Sequence, residues 1–136
     1  MAMVELINQN HLKYIVSQNV DGIHRKSGVP ATHIAEVHGN SNIEICEKCL
    51  KQYMRDHRVR VANRVHEHKT GRKCEIPGCD GDLKDTIINY GENLLDATAT
   101  LSSQNSACAD LILVMGCSMT LSHVAGMVLS CKQQGG

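Results

Sequence analysis

The stretch YIVSQNVDGIHRKSG, residues 14–28, decides the fold, because an apolar run ends there in a cluster of polar groups. Its start, together with Lys13, predicts a buried strand. Amide and carboxylate side chains follow at Gln18, Asn19 and Asp21. A surface turn needs only Gly, Asn or Asp, so this density of polar groups exceeds what a turn requires. The residues elsewhere in the chain indicate whether this stretch is a surface loop or part of a functional site.

A second strand is predicted by LILVMGCSM, residues 111–119, where five apolar residues stop at Gly116. Strands that are apolar throughout and alternate with helices are typical of a parallel α/β sheet covered on both faces. The apolar periodicity also predicts a helix that ends near Asn10, and helices at 96–110 and 122–132, the last of which stops at Gly135-Gly136. A helical turn is expected at 31–37, and a strand followed by a loop at 85–94.

The two predicted strands end in groups suited to a ligand. In parallel α/β sheets, ligands bind outside the carboxyl ends of the strands. The second strand end offers Gly116, which lets the backbone approach a ligand, and the small hydroxyl of Ser118. A nucleotide-sized ligand is expected there.

His38, which precedes Gly39, is a further candidate site residue. An isolated histidine is more often structural than catalytic, but the pKa of a histidine side chain suits proton transfer near neutrality.

Composition narrows the class of protein. The chain has 136 residues, enough for one domain with a modest core, and only three aromatic residues, so the core must be aliphatic. Its 14 basic residues balance 14 acidic ones, which disfavours a general nucleic-acid binder. No apolar run approaches the roughly 18 residues of a membrane span, so no membrane partner is expected.

Basic residues concentrate at 55–73, where seven Lys or Arg outnumber two acids. A solvated face is the favoured interpretation, and a site for an acidic partner is the alternative. His66 and His68 lie in this stretch at i, i+2 spacing. We expect them to face solvent rather than to bind a metal.

Four of the seven cysteines form two short knuckles separated by 24 residues. Four thiolates at such spacing can close a tetrahedron around one Zn²⁺ and leave no open position, so a structural zinc is predicted. The alternatives are a thioredoxin-like redox pair, which requires its CxxC at a helix start, and four unrelated thiols. A zinc hydrolase is excluded by the closed ligand set. The predicted ligands are Cys46, Cys49, Cys74 and Cys79.

The composition also divides the chain. Between residues 43 and 85 the four cysteines and most of the basic charge interrupt the apolar periodicity. This segment is predicted to be an inserted zinc-binding module. Residues 1–42 and 86–136 then form a partial Rossmann-like domain. The predicted fold class is α/β, a partial parallel sheet with an inserted small zinc-ribbon module.

Taken in order, SQNVDGIH, EVHGN, CEKC, CEIPGC, INYGENL and LVMGCSM resemble the motifs of the sirtuins, the NAD-dependent protein-lysine deacylases. The resemblance covers nearly the whole chain. GDLKDTIINYGENL, residues 81–94, is most similar to the class IV branch, whose members are often nuclear and chromatin-associated. The resemblance implies NAD and one structural zinc as cofactors. It also implies an acyl-lysine protein or peptide substrate, with histones as candidates. The implied location is nuclear or cytoplasmic, and the similarity to the class IV branch favours the nucleus.

The resemblance also implies roles for individual residues. His38 is expected to be the general base that takes a proton from the ribose hydroxyls. Asn19 and Asp21 are expected to orient the nicotinamide end, with Gln18 beside the ribose. Cys117 replaces the usual threonine of the adenosine-side motif. The expected cofactor-binding residues are Gln18, Asn19, Val20, Asp21, Gly116 and Ser118, and the expected substrate residues are Tyr90, Gly91 and Glu92.

Two family motifs are not found in the sequence: a Gly-Ala-Gly-x-Ser segment and a following Asp-Phe-Arg, which bind and cover the NAD phosphates. The resemblance is therefore to an internal part of a sirtuin. Weak or undetectable NAD binding, and with it little or no activity, is expected of these 136 residues alone. The alternative function is a non-catalytic zinc-ribbon interaction module on a degenerate α/β scaffold.

Overall fold

The computed structural model describes residues 2–135 and contains two compact units, one up to Leu94 and one from Leu95 onward. The first unit contains a short parallel sheet and a larger antiparallel sheet. Its elements are α1 (Ala2–Asn8), β1 (Ile15–Ser17), α2 (Ile23–Lys26), a 3-10 turn (Ala31–His33), β2 (Ile34–Glu36), β3 (Ile43–Cys46), β4 (Gln52–Met54), β5 (Lys69–Lys73) and β6 (Asp82–Asp85). The second contains α3 (Asp96–Ala107) and α4 (Ser122–Gln133).

Strands β1 and β2 pair in parallel, with Ser17 opposite Glu36 at the end of the ladder. Ile7, Val29 and Ile34 form a buried cluster beside this pair. The helical turn expected at 31–37 stops at His33, because Ile34–Glu36 join the ladder with β1 instead. The prediction of a parallel α/β fold with a four-cysteine module is confirmed.

The antiparallel sheet has the strand order β4-β3-β6-β5 and runs from Ile43 to Asp85. Its interior is small and aliphatic, with Val59 and Leu83 fully buried. These bounds coincide with the predicted inserted module at 43–85. The division of the whole chain into a module and a Rossmann-like domain stays a prediction.

Ion pairs within the module use most of its basic side chains. The Glu44 carboxylate has no exposed surface and accepts 2.8 Å hydrogen bonds from both Arg55 and Arg72. Arg60, whose side chain is 9% exposed, pairs with the buried Asp85. The expectation of a solvated basic face is wrong for these arginines. The side chains paired with carboxylates are Arg55, Arg60, Arg64, Lys69, Arg72 and Lys73.

In the second unit, the helices predicted at 96–110 and 122–132 are confirmed as α3 and α4. The strand predicted at 111–115 is wrong, because this run forms no ladder and leaves Leu111 78% and Leu113 74% exposed. A strand requires a neighbour for its N–H and C=O groups, and the described part of this unit forms only helices. Gly135 follows α4 with a φ of 95°, and Gly136 lies outside the described residues.

Among residues 2–135, no helix is both long enough and apolar enough to cross a membrane.

Candidate active site and metal centre

His38 lies where the two parallel strands end. Strand β2 ends at Glu36, and the Val37 N–H extends the ladder by donating to the Ser17 carbonyl at 3.0 Å. One residue further, the Nδ1 atom of His38 lies 3.3 Å from the backbone oxygen of Gln18. The parallel pairing therefore brings the histidine next to the polar stretch that follows β1.

This contact fixes the tautomer of the half-buried His38 ring. A carbonyl oxygen only accepts hydrogen bonds, so the proton of the neutral imidazole must be on Nδ1. The basic lone pair is then on Nε2. A neutral histidine with a defined tautomer is the form that a general base requires.

Close packing positions the loop that follows His38. Gly39 has a φ of 84°, and a Cβ atom there would overlap the Thr86 carbonyl. The buried Asn40 donates from Nδ2 to Glu36 at 2.7 Å, and its backbone N–H donates to the Thr86 hydroxyl at 3.1 Å. Burial raises the pKa of Glu36, against the opposing effect of its bond from Asn40. The His-Gly pair is therefore packed directly on the segment after β6.

That segment leads to the predicted substrate residues. The Ile88 N–H donates to the His38 carbonyl at 3.0 Å, and the Glu92 N–H closes a turn by donating to Asn89 at 3.1 Å. Of the strand and loop expected at 85–94, the strand is wrong beyond Asp85, because Thr86 and Ile88 bond to the His38 loop rather than to a sheet. Tyr90 is 94% exposed. The turn at 89–92 therefore begins beside the backbone of His38.

The polar residues after β1 have mixed roles. Asn19 and Asp21 are exposed, although Asp21 Oδ1 also accepts the Ile23 N–H at 3.0 Å and so starts α2. The Val20 carbonyl accepts a 2.7 Å bond from the Ser41 N–H, which ties this stretch to the loop after His38. Amide, carboxylate and imidazole groups are thus gathered at the carboxyl edge of the parallel pair.

Gly116 and Ser118 belong to the second unit. Gly116 has a φ of 63°, and the Ser118 hydroxyl lies 3.0 Å from the Thr120 hydroxyl. Both residues are exposed. Their predicted role in cofactor binding stays a prediction.

The four predicted cysteine ligands are gathered in one cluster. All four Sγ atoms lie within 4.8 Å of one another, and two of the S···S distances are 3.6 Å. A tetrahedron with Zn–S bonds of about 2.3 Å places its sulfur atoms about 3.8 Å apart, so the donor set fits one zinc ion. Gly81 contributes to the fit, because a Cβ there would overlap Cys46 Sγ. The cluster consists of Cys46, Cys49, Cys74 and Cys79.

The pKa values of the four-cysteine cluster also fit a site that binds a cation. The Tyr53 hydroxyl, 3.1 Å from Cys74 Sγ, helps to lower the pKa of that thiol to about 6. The Gly81 N–H lowers the pKa of Cys79, but burial and the surrounding thiols outweigh it and raise the value to about 12. Four thiolates so close together repel one another, and a dication would remove that cost.

The surroundings of His68 differ from the prediction. His68 does not face solvent: its side chain is only 24% exposed and lies between Asp85 and Glu92. It is also outside the metal-binding cluster found among residues 2–135. The sequence signal was weak, because a histidine in a basic stretch gives no indication of its distant carboxylate partners.

These features define a class: an α/β protein with a half-buried histidine at the edge of a parallel strand pair and an inserted four-cysteine cluster that fits a metal ion. The model of the Sir2 family matches residues 1–123. The chain belongs to the Sir2 family, which confirms the predicted resemblance to sirtuins.

Individual relatives agree with this assignment. The chain is 35% identical over 136 residues to the NAD-dependent protein deacetylase SRT1 of Arabidopsis thaliana, covering 100% of this chain and 28% of the relative. It is 38% identical over 124 residues to human NAD-dependent protein deacetylase sirtuin-7, covering 88% of this chain and 30% of the relative. The chain therefore spans less than a third of the length of these relatives.

Among solved structures, a Sir2 homolog–NAD complex matches with a TM-score of 0.71 and 26% sequence identity. The match covers 99% of this chain and 48% of that chain.

Proposed function

We propose that the chain carries the nicotinamide-side half of the active site of an NAD-dependent protein-lysine deacylase. The observation that carries this proposal is the position of His38, bonded through its ring to Gln18 and through its carbonyl to Ile88. Three segments with matching family motifs thereby meet at one histidine. Family membership and the names of the relatives support the same activity.

In this proposal His38 is the general base. When bound, NAD supplies the ribose that accepts the acyl group and the nicotinamide that leaves. Nε2 of His38 accepts the proton of a ribose hydroxyl, and the Gln18 carbonyl keeps the opposite proton on Nδ1. Such proton transfer typically contributes a hundred- to ten-thousand-fold in rate, and positioning of the two reactants supplies much of the remainder.

The exposed groups after β1 bind the nicotinamide end of the cofactor. Asn19 and Asp21 offer the donors and acceptors that a carboxamide needs, and Gln18 and Val20 line the ribose side. The donor set of this edge fits the cofactor, because it combines amide, carboxylate and imidazole groups at one place. Gly116 and Ser118 are proposed to contact the adenosine side.

The acyl-lysine peptide lies along the exposed turn of Tyr90, Gly91 and Glu92, which begins next to His38. Histone tails are the candidate substrates. A nuclear location is favoured over a cytoplasmic one, in keeping with the similarity to the class IV branch. The four cysteines hold one structural zinc that stabilises the module and leaves no coordination position for chemistry.

The alternative, a non-catalytic interaction module, is not favoured. Such a module would use the basic segment 55–73 as its binding surface, but most of those side chains pair with carboxylates of the chain itself. It also gives no reason for the arrangement of His38, Gln18 and Ile88.

A chimaera tests the proposal. This chain would replace the matching segment of the Arabidopsis relative, of which it covers 28%. We expect a folded, zinc-containing chimaera to remove acetyl groups from a lysine peptide only when NAD is present. A chimaera that melts cooperatively and carries zinc but shows no NAD-dependent deacetylation would contradict the proposed function.

A further inference from the structure

The turn at residues 89–92 is closed by the carboxylate of Glu92. Oε2 of Glu92 accepts the backbone N–H of Asn89 at 2.6 Å, and Oε1 lies 2.9 Å from Nε2 of His68. The Glu92 side chain is only 11% exposed, in contrast to the fully projecting Tyr90. Glu92 therefore points into the protein and connects the turn to the segment that precedes β5.

The opposite side of the His68 ring contacts a second carboxylate. Nδ1 of His68 lies 3.0 Å from Oδ1 of Asp85, whose side chain has no exposed surface. Asp85 also accepts a 2.9 Å bond from Arg60 and another from the Ile87 N–H. In addition, the Asp85 N–H donates to the His68 carbonyl at 2.8 Å. Both the backbone and the ring of His68 are thus fixed to the end of β6.

Two carboxylate partners determine the charge of this ring. An ionised carboxylate only accepts hydrogen bonds, and a neutral imidazole donates from only one of its nitrogens. His68 can satisfy Asp85 and Glu92 together only as an imidazolium that donates from both nitrogens. Arg60 Nη1, 3.4 Å from Nδ1, also only donates and is directed to Asp85.

Electrostatics agree with this geometry. Against the opposing effect of burial, hydrogen bonds to Asp85 and Glu92 raise the pKa of His68 above its ordinary value of 6.5. Burial likewise opposes the shift of Glu92, but bonds from Asn89 and His68 lower the pKa of that carboxyl to about 2. The imidazolium form of His68 and its ion pair with Glu92 are therefore favoured up to a higher pH than in a free histidine.

Besides Arg60, other titratable groups face His68. His66, on the same segment, places its Nδ1 3.1 Å from Glu92 Oε1 but is 69% exposed. The remaining charged groups lining the open cleft beside the two histidines are two acids and two lysines, namely Glu47, Glu67, Lys69 and Lys84.

We propose that His68 is a positioning residue that, as an imidazolium, fixes the turn at 89–92 against β6 and so sets the affinity for the substrate peptide. The claim about peptide affinity rests on the proposed function, whereas the claim about the turn does not. A group whose pKa is raised on folding stabilises most fully below its ordinary pKa. The turn is thus best ordered below pH 6.5 and loosens as the pH rises through the folded-state pKa of His68.

The test is an NMR titration of the isotopically labelled 136-residue chain. The backbone amide of Asn89 reports the turn, because it donates directly to Glu92. We expect the His68 ring nitrogens and the Asn89 amide to titrate together with a midpoint above 6.5, and to do so also in His66→Gln. Separate midpoints, or a His68 ring that is neutral at pH 6.5, would overturn the proposal.

Matched variants separate positioning from general stability. His68→Gln should lower the hydrogen-exchange protection of the Asn89 amide by at least about tenfold, the usual effect of losing a bond to a charged group. His57→Gln, which removes an exposed histidine paired with Asp56, should leave it unchanged. Equal loss of protection at Leu83 in the sheet core would show a general structural role and overturn the proposal. If His68→Gln does not fold, the titration of the unaltered chain still decides.

The effect of His68 on peptide binding is measured in the chimaera with an acetyl-lysine peptide as substrate. We expect His68→Gln to raise KM several-fold with kcat retained, and a fall in kcat alone would refute positioning. An inactive chimaera would count against the proposed function, while the NMR results would still decide the effect of His68 on the turn.

Discussion

The ring of His38 and the backbone of Gln18 are joined by a 3.3 Å contact across 20 residues of sequence. This relationship exists because β1 and β2 pair in parallel and end at the same edge. It explains why a strand that starts as an apolar run ends in amides and a carboxylate. In the proposed function, these polar residues and the loop that follows β2 are the two halves of one site.

Removing a zinc ligand should unfold the module. Cys79→Ser is expected to abolish binding of one zinc per chain and to eliminate the cooperative unfolding of the antiparallel sheet, since metal-binding energy here is folding energy. The matched control is Cys108→Ser, an exposed thiol outside the cluster. Metal analysis and thermal melts measure both effects. A folded protein purified with ample zinc but without stoichiometric metal would contradict the metal centre.

Glu44→Gln should destabilise the module strongly. The change leaves Arg55 and Arg72 facing an uncharged amide in a buried position, and breaking such a pair typically costs about 3–5 kcal/mol of unfolding free energy. Glu47→Gln, at an exposed position within the first knuckle, is the control and should change stability by less than about 0.5 kcal/mol. Denaturant titrations compare the two, and equal effects would refute the role assigned to Glu44.

The same carboxylate predicts a pH dependence. Burial opposes the shift, but bonds from Arg55 and Arg72 lower the pKa of Glu44 below its ordinary value of 4.5. A depressed pKa contributes stability that is present above the ordinary pKa and lost as the pH falls through the folded-state pKa. The unfolding free energy of the unaltered protein should therefore fall below pH 4.5, and Glu44→Gln should remove part of that slope.

Much of this fold could be predicted from local pattern. The helices α3 and α4, the strand β1 and the four cysteine ligands each follow from periodicity or spacing within a short window. The strand expected at 111–115 could not be judged that way, because a strand depends on a neighbour and periodicity does not reveal whether one is present. The buried environment of His68 was missed for a similar reason: its partners lie 17 and 24 residues away.

Gly39 offers a test of how closely the His-Gly pair packs. Gly39→Ala should destabilise the protein by well over 1 kcal/mol, because the new Cβ meets the Thr86 carbonyl in addition to a strained φ. Gly71→Ala is a matched control, with a similar φ of 77° and no atom within 4 Å of the new Cβ. Its cost should be limited to about 1–2 kcal/mol of left-handed backbone strain and stay below that of Gly39→Ala. Equal losses in denaturant titrations would contradict the packing described for His38.

Asn19→Ala should separate nicotinamide orientation from base catalysis. In the active chimaera, the loss of this exposed amide is expected to slow exchange of labelled nicotinamide into NAD as well as net deacetylation. Asn63→Ala, which removes an exposed amide in the module, is the control and should leave both rates unchanged. Normal exchange in the Asn19 variant would remove that residue from the cofactor site.

The role of His38 is decided by one paired measurement: single-turnover deacetylation beside denaturant unfolding, on His38→Ala in the chimaera. We expect the rate to fall about a hundred- to ten-thousand-fold, as for the loss of a general base. NAD and peptide affinities should stay within a few fold, and the unfolding free energy should change by about 1 kcal/mol, the value of one hydrogen bond. Unchanged turnover in a stably folded His38→Ala protein would contradict the account and remove this histidine from the mechanism.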